Sequence, residues 1–151
     1  MRRVPGQTDI GGVNRQDAED AKLPEPDFEL DQVARVVVEA ATEVHGILGP
    51  GLLESVYEQA MSVELGLRGV RFARQVPLAV TYKNVAIGEA RLDLLVADRL
   101  VVELKACQQL LPLHLAQVLS YLKASKRSLG LLINFNVCLL RQGVRRVIRS
   151  Q

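Results

Sequence analysis

No apolar run in the chain is long enough to span a bilayer. The hydrophobic residues, 48% of 151, come in short runs separated by charge. A secretory signal is also missing: Met1-Arg2-Arg3-Val4-Pro5-Gly6-Gln7 carries arginines with no apolar stretch behind them. Cysteine is scarce. Cys107 and Cys138 sit within or beside apolar runs, without metal-type pairing, and read as small buried hydrophobes of a reducing compartment. There is no Cys/His zinc spacing, no glycine-rich phosphate loop, no Ser or Cys nucleophile motif and no internal repeat. Together these absences suggest a soluble, cytoplasmic protein with no membrane partner; they leave its oligomeric state open. One more absence is local. No Asp or Glu follows Glu103, whereas Lys105, Lys123, Lys126, Arg127, Arg141, Arg145, Arg146 and Arg149 do. The net charge of +2 conceals this asymmetry. A basic, acid-free C-terminal third suits an anionic partner on that face, nucleic acid first, or else a solvated Lys/Arg rim.

What is present suits one globular domain with a sizeable core. Residues 1–27 are rich in Gly, Pro and polar side chains and read as a disordered or loosely docked tail, with the domain occupying 28–151. From Phe28, Leu30, Val33, Ala34, Val37, Ala41 and Val44 keep helical spacing, with Asp27 as N-cap and Gly46 as the stop. Ile47-Leu48-Gly49-Pro50-Gly51 is a turn by composition, and a second helix covers about 52–67. Three strands follow, over 75–82, 85–96 and 100–106, joined by Lys83-Asn84 and Ala97-Asp98-Arg99. Gly88 inside the second strand predicts a bulge or a close approach. Pro112 opens a third helix to about Ala124. Leu129 to Phe135 is an apolar strand, and Val137 to Leu140 is a candidate to pair with it. The fold class is α/β: a mixed sheet flanked by helices.

Three ionisable residues interrupt the most apolar stretches. Asp93 lies in Arg91-Leu92-Asp93-Leu94-Leu95-Val96, and Glu103 and Lys105 lie in Leu100-Val101-Val102-Glu103-Leu104-Lys105. Charges in buried strands are paired or hold a metal. By strand alternation, Arg91, Asp93 and Leu95 share one face, opposite Leu92, Leu94 and Val96. A two-residue turn would set Asp93 against Leu104 and dissolve the site. A three-residue loop, Ala97 to Arg99, sets Asp93 against Glu103 and Leu95 against Val101. The two carboxylates then converge beside Lys105, and hard oxygen ligands with room for water suit Mg²⁺ or Mn²⁺. Such an ion polarises a phosphodiester, and Lys105 could orient the water or stabilise the developing charge. The same spacing suits a half-exposed hairpin with an Asp-Lys-Glu salt-bridge cluster.

Two helices add candidates. Glu54 and Tyr57 lie one turn apart on one helix face, with Glu54 either aimed at a polar site or serving as an exposed first-turn carboxylate. His114, Gln117 and Tyr121 form a polar stripe on an otherwise apolar third helix, lining a cleft beside the sheet or facing solvent. His45 reads equally as a cation at a helix C-terminus.

The sequence His45-x-x-x-Gly49-x-Gly51-x-x-Glu54-x-x-Tyr57 is followed by Asp93-Leu94-Leu95-Val96 and Glu103-Leu104-Lys105-Ala106. His114-x-x-Gln117-x-x-x-Tyr121-Leu122 and Leu131-Leu132-Ile133-Asn134-Phe135 complete the series. This series, covering about 30–149, resembles the GxxExxY family of the PD-(D/E)XK nuclease-like superfamily. The resemblance implies a restriction-endonuclease-like sandwich with an α-β-β-β-α-β core. It implies that Asp93 and Glu103 bind metal, that Glu54 is the acid from the first core helix, and that Lys105 is the catalytic lysine. Gln117 and Tyr121 match the Q-x-x-x-Y signature of RecB-like exonucleases, near the scissile phosphate. Leu92 stands where the superfamily's name has proline. The expected activity is metal-dependent hydrolysis of phosphodiesters in nucleic acid, DNA in preference to RNA. The alternative is a non-catalytic module, binding nucleic acid or protein, that keeps the fold.

Overall fold

The computed structural model describes residues 27–150. The expected loose tail over residues 1–27 therefore falls, apart from Asp27, outside the described residues.

Helix α1 spans Phe28–Leu48 and starts where expected: the Leu30 N–H donates to the Asp27 carboxylate at 2.8 Å, a cap contributing about 1 kcal/mol. It does not stop at Gly46. That glycine has open space around it and continues the helix, and the break comes at Gly49, whose φ of +72° only glycine adopts freely. Helix α2 (Glu54–Leu67) packs beside α1. Between them, Tyr57 is fully buried. Its hydroxyl donates to Gly49 O at 2.6 Å and accepts from Leu52 N–H, and its ring stacks on Phe135 at 4.4 Å. Tyr57 thus ties the Gly-Pro-Gly turn to the core. His45 is also buried, 2.7 Å from the Val137 carbonyl through Nε2.

Strands β1 (Phe72–Tyr82), β2 (Val85–Val96), β3 (Leu100–Lys105), β4 (Leu129–Asn134) and β5 (Val144–Ile148) form one sheet in that order. Only β3 and β4 run parallel, and helix α3 (Pro112–Ser125) makes their crossover. The ladder slips between Val80 and Thr81, leaving an extra residue beside Gly88, the expected bulge. The apolar segment after β4 does not pair as expected. Leu140–Gly143 is a 3₁₀ turn, and the fifth strand is Val144–Ile148. A side chain at Gly143 would run into the Asn134 carbonyl, so the chain can turn there only on a glycine.

Two cores flank the sheet. Leu94, Val96, Leu100, Val102, Leu104, Leu131 and Ile133 face α1 and α2, while Leu95, Val101, Leu132 and Val147 face Val118 and Leu122 of α3. At Gly130 an added Cβ would stand 2.8 Å from Val118, which is how α3 comes so close to β4. The cysteines are not buried as expected: Cys107 is partly exposed and Cys138 exposed, both in loops beyond strand ends. The basic residues after Glu103 do not share a face either. Arg146 is ion-paired with Asp31 of α1, Arg127 bonds Asp98 O in the loop between β2 and β3, and Arg145 bonds the Gln142 and Val144 carbonyls. Adjacent residues of a strand point to opposite sides, so a run of arginines in β5 cannot form one surface. Among the described residues no helix is long and apolar enough to cross a membrane.

Candidate active site

The register between β2 and β3 follows from the loop between them. Ala97 and Asp98 both take positive φ, and the pairs are Val96 with Leu100, Leu95 with Val101 and Leu94 with Val102. The next rung would be Asp93 with Glu103, and there the backbone ladder gives way to side chains. The Asp93 N–H donates to Glu103 Oε1 at 3.0 Å, and the Leu104 N–H donates to Asp93 Oδ2 at 2.8 Å. Each carboxyl group thus takes up a backbone donor of the opposing strand, a bond worth about 1.5–3 kcal/mol when the acid is ionised. Each also keeps a second oxygen that this exchange does not use.

Simple alternation fails at this point. Leu92 packs with Leu95 on the α3 side, although Leu94 and Val96 lie on the other. In β1, Phe72 and Val76 are divided in the same way. The break sits at Gln75, which has φ +50° and lies between the pairs Arg74–Leu94 and Val76–Leu92. A left-handed residue in one strand turns the whole hairpin there, so β1 and β2 change faces together beside Asp93.

The remaining expected residues gather around this opening. Lys105 follows Glu103 on the same side and donates from Nζ to Gln117 Oε1 of α3 at 3.4 Å. Tyr121, one turn further along α3, packs partly buried against the α3-side core; burial, then Glu103 and Asp93, push its hydroxyl above its ordinary pKa. Glu54 opens α2 and is exposed, yet the protein around its carboxyl, and then Asp93, raise its pKa. His114 does not join them. Its Nδ1 accepts the Leu111 N–H at 3.0 Å and caps α3.

Two residues that support the site were given no site role in the sequence reading. Glu58, one turn after Glu54, is buried; it accepts from Arg74 Nε at 3.1 Å and from Gln75 Nε2 at 2.9 Å. The same Gln75 amide lies 3.5 Å from Asp93 Oδ1. Glu58 thus holds the strained glutamine that adjoins Asp93. Its position between the buried residues Tyr57 and Met61 was the signal available in the sequence. Asn134 is the second. Its side chain bonds both the N–H and the carbonyl of Cys107, which fixes the chain just past Lys105.

The charges are unbalanced. Burial, followed by repulsion from Asp93, pushes the Glu103 carboxyl up to about 8. Asp93 is raised by burial as well, against the lowering effect of the Leu104 N–H, with Glu58 adding repulsion. Lys105 opposes these shifts without cancelling them. Acids desolvated together with one lysine are short of positive charge. Among the described residues no three His, Cys, Asp or Glu side chains form a metal cage. The donors fit an ion that takes one or two carboxylates and keeps its waters, as Mg²⁺ does, rather than one needing a complete protein shell.

A family model described as the PD-(D/E)XK nuclease superfamily matches residues 31–147. No curated protein and no solved structure matches the chain. The match takes in every element from α1 to β5, and the mixed sheet between helices is the restriction-endonuclease-like sandwich. The chain belongs to that superfamily, whose nucleases generally use divalent metal ions.

Proposed function

We propose that this superfamily member is a metal-dependent nuclease of the GxxExxY kind, cytoplasmic, hydrolysing phosphodiester bonds of nucleic acid with residues 28–151 as its catalytic domain. DNA is the preferred substrate over RNA. The observation that carries this reading is the exchange at the end of β3: Asp93 and Glu103 replace a rung of the ladder and turn toward each other next to Lys105. In our reading Asp93 and Glu103 would hold Mg²⁺ or Mn²⁺ together with the Leu104 carbonyl and water. When bound, the ion supplies Lewis-acid polarisation of the phosphodiester.

The chain's own side chains do the rest. Glu54, in the first turn of α2, would bind a second ion or a water of the first. Lys105 directs the attacking water and meets the negative charge that develops on the phosphoryl oxygens. Gln117 fixes the Lys105 ammonium, and Tyr121 places the strand. The attacking water loses a proton, and the departing sugar oxygen takes one up. The test is incubation with labelled single- and double-stranded DNA and RNA, with Mn²⁺ and with EDTA. Cleavage that needs Mn²⁺ and falls by about a thousandfold in Asp93→Ala and Lys105→Ala is expected. Equal rates in wild type and both variants would refute the roles given to these residues.

A further inference from the structure

The β1–β2 hairpin is much longer than the sheet that holds it. The pairing of β2 with β3 ends at Leu94, whereas its pairing with β1 continues to Val85. Beyond Asp93 the two strands form a free arm, about 26 Å long at 3.3 Å per residue. The arm is rooted at the site, since Gln75 and Asp93 mark where it leaves the sheet.

One side of the arm is apolar along its length. Val76, Leu78 and Leu92 belong to the α3-side core, together with Tyr121. Alternation carries the same side of β1 outward to Val80 and Tyr82, and Val85 lies directly across from Tyr82. There the cover ends: Tyr82 is 61% exposed, Val85 62% and Ile87 63%. A two-stranded ribbon is marginal on its own, and an apolar side left open on one invites a partner. On the arm itself, over residues 76–92, Lys83 and Arg91 outnumber Glu89. Lys83 sits at the tip with its ammonium 5.4 Å from the centre of the Tyr82 ring; Arg91 lies at the root, its charge partly met by Glu89. Lys105 stands in the site, and Arg145 shares its side of the sheet, because Glu103 pairs with Leu132 and Leu132 with Arg145.

We propose that this arm makes the site selective for a single strand, with bases laid against Tyr82 and Val85 while the phosphates run past Lys83 and Lys105. The proposal rests on reading the site as a nuclease. A duplex turns its phosphates outward and hides its base faces, so it gains nothing from an apolar aromatic surface. An unpaired strand offers both base faces and phosphates, and the arm supplies a counterpart for each.

The test compares the full chain with Tyr82→Ala/Val85→Ala, both substitutions being at exposed positions. Fluorescence anisotropy with a labelled oligothymidine and a duplex of the same length, in EDTA, reads binding without cleavage. The single strand is expected to bind at least about tenfold more tightly, and the double variant to lose about tenfold for it and nothing for the duplex. Duplex binding as tight as single-strand binding, or single-strand affinity unchanged in the variant, would overturn the proposal. So would a dimer, seen by sedimentation, that the double variant dissolves, since the arm would then be covered by a second copy. Mn²⁺-dependent cleavage lost in Asp93→Ala keeps the nuclease reading whichever way the arm result falls. Strand-selective binding without any cleavage would keep the arm's preference and remove the nuclease.

Discussion

Strand β3 divides in the middle. From Leu100 to Val102 it is paired on both sides, to β2 and β4, and every side chain is buried in one core or the other. From Glu103 to Lys105 it stays paired to β4, but its bonds toward β2 pass through the carboxylates of Asp93 and Glu103. The first half gains stability from apolar burial. The second half keeps the strand's direction through β4 while opening its other edge to polar groups. A strand anchored on one side can therefore carry buried acids that a fully paired strand would exclude.

Substitution of adjacent residues tests that division most strongly. Leu104 points into the α1–α2 core and is fully buried; Leu104→Ala should cost about 2–5 kcal/mol in urea unfolding. Lys105, its neighbour on the other side, is half-buried, and Lys105→Ala should move stability by about 1 kcal/mol or less. Similar losses in the two variants would mean that the second half of β3 is structural in the same sense as the first.

The smaller effect is a dependence on pH. Glu103 has a folded pKa of about 8 against an ordinary 4.5. The folded state therefore holds a proton that the unfolded state releases, so between about pH 4.5 and 8 this group lowers stability as pH rises, by up to about 1.4 kcal/mol per unit. Above pH 8 the penalty is complete; below pH 4.5 it vanishes. In EDTA, Tm should fall from pH 5 to 8, and Glu103→Gln should flatten the decline. Mn²⁺ requires the ionised acids, so the stabilisation it gives should grow over the same range. A metal-free Tm that climbs with pH in wild type but not in Glu103→Gln would contradict the assignment of Glu103 as the desolvated acid.

The same division accounts for what the sequence disclosed. The register of Asp93 against Glu103 was legible because a three-residue loop permits only one parity, and the Gly88 bulge because glycine within a strand has few other uses. The change of faces at Gln75 and Asp93 was not legible: it depends on a left-handed glutamine, a residue type that rarely takes that conformation. Glu58 was passed over for a related reason. A glutamate in a helix ordinarily faces water, and only the tertiary fold brings Arg74 and Gln75 to it. Val137 to Leu140 looked like a strand because a short apolar run does not reveal whether its backbone can pair. The six expected site residues, Glu54, Asp93, Glu103, Lys105, Gln117 and Tyr121, do come together, from α2, β2, β3 and α3.

The smallest predicted effect concerns Glu58, which adjoins the opened half of the strand without belonging to it. Burial is the main cause of the raised Asp93 pKa, and Glu58 adds repulsion. Glu58→Gln keeps an oxygen to accept from Gln75 and removes the charge. The Asp93 carboxyl should then ionise at lower pH, and the acid limb of Mn²⁺-dependent stabilisation should move down by less than about one unit. Glu58→Ala should act differently, because it leaves Arg74 and Gln75 without their acceptor and should lower Tm as well. The two variants separate charge from support. An acid limb that stays in place in Glu58→Gln, or moves upward, would show that Glu58 acts on Asp93 only by holding Gln75.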